Sequence, residues 1–77
     1  MLDDGQLDAR IEALEAEERD VSARRRKIHD RLSSFPNEVM MQQEREISAH
    51  RRELHAEIDA LRAERSRRRE EQSSVDG

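Results

Sequence analysis

Leu7, Ile11, Leu14, Val21, Ile28, Leu32 and Phe35 recur at intervals of three, four or seven residues. That spacing is a heptad seam and predicts one long helix over residues 7–33. Met40, Ile47, Leu54, Ile58 and Leu61 carry a similar pattern and predict a second helix over residues 38–70. Charged residues take slots that the period reserves for apolar ones: Glu18 and Arg25 in the first seam, Glu44 and Arg51 in the second. The one cluster of helix breakers is Ser33-Ser34-Phe35-Pro36-Asn37, which makes residues 34–37 the expected turn. Residues 1–6 read as a short, flexible acidic leader in which Asp3 or Asp4 can cap the first helix. Residues 71–77 have no periodicity and read as a disordered tail.

Composition narrows the architecture further. Hydrophobic residues make up 32% and charged residues 44%, with one Phe and no Trp or Tyr. So short and polar a chain of 77 residues cannot offset its conformational entropy by closing around a globular core. Regular apolar spacing argues against disorder, which leaves long helices burying a narrow seam. The fold class is therefore all-α: two long helices in a helix-turn-helix hairpin, forming an antiparallel coiled coil. A net charge of −4 argues against general nucleic-acid binding, and the absence of cysteine excludes disulfides and thiolate zinc sites. No apolar run approaches a membrane span or a signal-peptide core, so a cytoplasmic location is expected.

The candidate chemistry lies along one side of the second helix. Glu44, Ser48, Arg51, His55 and Asp59 spell E-x3-S-x2-R-x3-H-x3-D. At about 100° per residue they form a polar stripe about 80° wide and about 22 Å long, beside the apolar edge. A near copy, Glu18, Ser22, Arg25, His29 and Ser33, sits 26 residues earlier. Aligning 18–33 with 44–59 gives seven identities in sixteen positions, and a shift of 26 is not a multiple of seven. Heptad register therefore does not force the match. Arg can grip guanine O6 and N7 through two prongs or clamp a phosphate. A carboxylate such as Asp59 or Glu44 can accept from guanine N1 and N2, Ser48 suits phosphate oxygens, and His55 can donate a hydrogen bond or stack.

Blander readings compete with this one. A Glu and an Arg in a seam can pair across it merely to set register, which would make the chain a plain coiled-coil adaptor. The His55/Asp59 pair, one turn apart, is more often a surface pair than a metal site. The Arg24-Arg25-Arg26-Lys27 run suggests a basic DNA-binding helix, but Arg25 sits in the seam, acidic residues surround the run and the chain is net negative; Arg67-Arg68-Arg69 reads as a solvated helix end. No enzyme is expected: there is no sheet to build a pocket and no walled Ser-His-Asp arrangement.

The string EREISAHRRELHAEIDALRAE, with its partner ERDVSARRRKIHDRL, resembles the RsiG-type anti-sigma factors of actinobacteria. The likeness covers roughly residues 7 to 65. It implies a coiled coil that binds cyclic di-GMP through E-x3-S-x2-R-x3-Q-x3-D motifs, two ligand molecules per groove, and that sequesters a WhiG-type sigma factor when loaded. By this resemblance the ligand-binding residues are Glu44, Ser48, Arg51, His55 and Asp59, with Glu18, Ser22, Arg25 and His29 as a degenerate second motif. The chain departs from the pattern twice: His replaces Gln at the fourth position of both copies, and the first copy ends in Ser33 rather than Asp.

The family includes two-motif monomers and one-motif homodimers. With a tight turn over 33–37, residue i would face about 70 − i, while the motif centres, near 25.5 and 51.5, add to 77. The copies would then miss each other by about seven residues, or about 10 Å. That mismatch favours a homodimer in which the second helices of two chains form the groove.

Overall fold

The computed structural model describes residues 2–75, with side chains through Gln72. Helix α1 spans Asp4–Ser34 and α2 spans Glu38–Val75. They pack antiparallel as a hairpin in a rod of 60 × 19 × 15 Å.

Local chemistry fixes three of the four helix ends. Asp3 caps α1 through a reciprocal capping box: its carboxylate accepts from the Gln6 backbone N–H at 2.7 Å, and the Gln6 side chain accepts from the Asp3 N–H at 3.0 Å. Because the cap is Asp3, residues 4–6 of the expected leader belong to the first turn of α1. At the turn, Ser33 and Ser34 stay helical, and Ser33 Oγ donates back to the His29 carbonyl at 3.1 Å. The helix stops at Phe35, whose φ of −139° and ψ of 80° lie outside the helical region that a following proline disfavours for the residue before it. Asn37 starts α2, its side chain accepting from the Met40 N–H at 2.8 Å. At the far end α2 runs to Val75, past the end near residue 70 that fading periodicity suggested. No Gly or Pro lies between Glu38 and Val75 to stop it. Asp76 and Gly77, the rest of the expected tail, lie outside the described residues.

The buried residues are Leu7, Ile11, Leu14 and Val21 of α1 with Leu54 and Ile58 of α2. Leu14, Val21, Leu54 and Ile58 form one cluster, with Ile47 and Leu61 packed against it. Toward the turn the seam opens: Ile28, Leu32 and Met40 are half-buried, and Phe35, Val39 and Met41 are exposed. Beside the closed half, ion pairs cross between helices at Asp4–Arg68 (3.0 Å), Asp8–Arg65 (3.5 Å), Arg10–Glu57 (3.0 Å) and Glu15–Arg62 (3.0 Å). Each pair has at least one solvent-exposed partner, and surface pairs contribute about 0–1 kcal/mol each, so the apolar cluster holds the hairpin together.

Candidate functional site

The polar seam residues of the two helices meet, and they meet in reciprocal pairs. Arg51 Nε donates to Ser22 Oγ at 3.0 Å, and Arg25 Nε donates to Ser48 Oγ at 3.0 Å. Each serine passes the bond along its own helix, Ser22 to Glu18 and Ser48 to Glu44, both at 2.6 Å. Each histidine closes its network from the opposite helix: His55 Nε2 lies 3.1 Å from Glu18 Oε1, and His29 Nε2 lies 3.0 Å from Glu44 Oε1. The two networks also match in environment. Side-chain exposure is 18% and 24% for the glutamates, 35% and 37% for the arginines, and 45% and 46% for the histidines. The repeat in the sequence is thus a repeat in space, related by a pseudo-twofold axis between the helices.

This geometry corrects the register expected from the sequence. The numbers of every facing pair in the box add to 73, not 70. The turn is centred at Pro36 because Ser33 and Ser34 remain in α1. The motif also has a different centre from the one assumed. Its first four residues are spaced 4, 3 and 4 apart, which reads the same in both directions. On antiparallel helices such a spacing sets Glu opposite His and Ser opposite Arg. Counting the fifth position, Asp59 or Ser33, displaced the centre. The two copies meet within one chain, and the mismatch that pointed to a homodimer does not exist.

Asp59 and Ser33 lie outside the box. Asp59 is exposed, one turn beyond His55, with no hydrogen bond or ion pair among the described residues. Ser33 is spent on the His29 carbonyl.

Electrostatics follows the bonding. The Ser22 hydroxyl, followed by the charges of His55 and Arg51, holds the Glu18 carboxyl below the usual carboxylate range against the opposing effect of desolvation. Glu44 is lowered in the same way, first by Ser48 and then by its hydrogen bond with His29. Both stay ionised at neutral pH. The arginines bond through Nε alone, which leaves their Nη groups without a hydrogen-bond partner among the described residues. Beside the box runs a groove of about 440 Å³ lined by Arg25, Glu44, Arg45, Ser48, Arg51 and Arg52. Arg45 and Arg52 had no assigned role in the sequence reading. Their signal was present in the repeat, where Arg19 and Arg26 are their counterparts.

No group of three or more His, Cys, Asp or Glu side chains converges as a metal site among the described residues, and His55 instead faces Glu18. None of the described helices is long and apolar enough to cross a membrane. In comparison with known families, residues 38–77 match the model described as RsiG-like. The matched region is α2 with the second motif copy. No curated protein and no solved structure gives a match.

Proposed function

Since this chain belongs to the RsiG-like family, a regulatory rather than catalytic one, we propose that it is an anti-sigma factor that binds cyclic di-GMP on the polar face of its hairpin. In the loaded state it sequesters a WhiG-type sigma factor. The observation that supports this best is the pairing of the two E-x3-S-x2-R-x3-H boxes on one open face, with Arg25 and Arg51 about a turn apart across it.

The chemistry of the face suits a guanine dinucleotide. The arginines offer free Nη donors to guanine O6 and N7 or to phosphate. Glu18, Glu44 and, further along, Asp59 are acceptors for guanine N1 and N2. The histidines, in place of the family's Gln, supply a hydrogen-bonding ring that can also stack. Every polar residue of the box is already bonded to another, so the empty face is stable and the ligand must exchange those bonds. The exchange costs little on a half-exposed surface, where a hydrogen bond contributes about 1 kcal/mol net.

Both copies contribute in this reading, so one chain supplies the whole recognition face. Titration calorimetry of the full chain with cyclic di-GMP tests it. Binding that Arg51→Ala abolishes, and that cyclic di-AMP does not reproduce, is the expected result. No heat at micromolar ligand would leave the face as a register-setting device and the chain as a coiled-coil adaptor. The regulatory half of the proposal is read by capture of a WhiG-type sigma factor with and without nucleotide, where retention is expected only with it.

A further inference from the structure

Arg10, Arg24, Arg62, Arg65, Arg67 and Arg68 each face a carboxylate. Arg19, Arg26, Arg45 and Arg52 form no ion pair among the described residues; Arg45 reaches only the neutral Gln42 side chain, at 2.8 Å. Arg31 and Arg69 also lack an ion pair among the described residues, but the four are not scattered. Arg19 and Arg45 are repeat mates, as are Arg26 and Arg52. Measured from the seam arginine of the same helix, the two mates on each helix lie about 100° and about 120° round, just beyond the box serine at about 60°. They border the polar face on its solvent side.

On α2 this border is part of a groove. Arg45 and Arg52 line the space of about 440 Å³ together with Arg25 and Arg51, and the one carboxylate there, Glu44, already accepts from Ser48 and meets His29. Four guanidiniums against one engaged carboxylate make a cationic groove on a chain whose net charge is −4. Arg25 and Arg51 have carboxylate partners in Glu44 at 3.7 Å and Glu18 at 3.4 Å, so the cationic excess lies with Arg45 and Arg52, and it suits an anionic ligand.

We propose that Arg45 and Arg52 form a phosphate-gripping rim beside the box, with Arg19 and Arg26 as its counterpart across the pseudo-twofold axis. The proposal rests on the dinucleotide reading above and adds to it a division of labour. The box residues read base edges, while the rim holds phosphodiester oxygens through guanidinium forks that suit them. Rim contacts with phosphate are base-blind and salt-sensitive; box contacts with guanine are base-specific and less so.

The test is titration calorimetry of the full chain with cyclic di-GMP and with cyclic di-AMP, at low and moderate salt. It compares the wild type, the double variant Arg45→Gln/Arg52→Gln, and Arg31→Gln. Arg31 is also without an ion pair but lies about 120° round the helix from Arg25 on the opposite side, and it serves as the control. The expected result is a loss of at least about 30-fold in cyclic di-GMP affinity for the double variant, with a weaker salt dependence. Arg31→Gln should stay within about twofold of the wild type, and all three proteins should melt alike. Wild-type binding that the double variant keeps in full overturns the rim and leaves the proposed function standing. Binding of cyclic di-AMP alone, lost in the double variant, supports the rim and overturns the guanine reading. Binding of neither dinucleotide overturns both.

Discussion

Near its free ends the hairpin closes on Leu7, Ile11, Leu14, Leu54 and Ile58, each between 1% and 4% exposed. Nearer the turn, from Glu18 to Phe35 and from Glu38 to Arg51, the one buried residue is Val21. Both segments follow the same heptad period, so periodicity alone does not separate them. What differs is the material placed in the slots. Aliphatic residues in the terminal half exclude water and fix the alignment of the helices. Glu, Ser, Arg and His in the box half leave a face whose bonds are exchangeable. The antiparallel arrangement sets dry segment against dry and wet against wet. One half can therefore rearrange around a ligand while the other keeps the helices together.

The largest effect should come from cutting the dry half. Leu54→Ala removes a buried side chain from the central cluster and should cost about 2–5 kcal/mol, enough to lower the helical melting midpoint sharply. A melt close to the wild type would mean that stability is not concentrated there. The box half should respond in the opposite way. Arg51→Ala should reduce cyclic di-GMP affinity by about 100-fold or more, yet shift stability by less than about 1 kcal/mol. A large loss of helicity in that variant would show that the polar half is structural.

Acid should weaken both halves, and more gently. Glu18 and Glu44 are held below the ordinary carboxylate range, so the stability they give is present above that range and is lost as pH falls through their own lower values. Glu64 in the terminal half, lowered first by Arg68, behaves in the same sense. Circular dichroism from pH 7 to pH 2 should show stability falling below about pH 4.5, and Glu18→Gln/Glu44→Gln should make the fall shallower. An unchanged acid profile would mean that these carboxylates add nothing. Least of all should Phe35→Ser matter: at 77% exposure its ring is out of the seam, and the expected change is within about 0.5 kcal/mol.

Much of this was legible in the sequence. Leu7, Leu14, Val21, Leu54 and Ile58 announced the seam by their spacing, and Glu44, Ser48, Arg51 and His55 announced a polar edge. Register was harder, because two small local facts control it. Ser33 and Ser34 are compatible with either helix or turn, and only Pro36 forces the break, which moves the hairpin centre. The box is symmetric in its first four positions and not in its fifth, so including Asp59 shifted the apparent midpoint. Arg45 and Arg52 went unassigned for a different reason. The repeat marks them through Arg19 and Arg26, but that they lack a carboxylate partner is a fact of space that spacing along the chain does not show.

The central claim is that one chain presents both boxes as a single recognition face. Because Arg25 and Arg51 occupy equivalent places across the pseudo-twofold axis, calorimetry on the two single variants tests it directly. Arg25→Ala and Arg51→Ala should weaken cyclic di-GMP binding to a similar degree, in a loaded complex that sediments with one chain. Full binding by Arg25→Ala, in a complex of two chains joined through α2, would contradict the account.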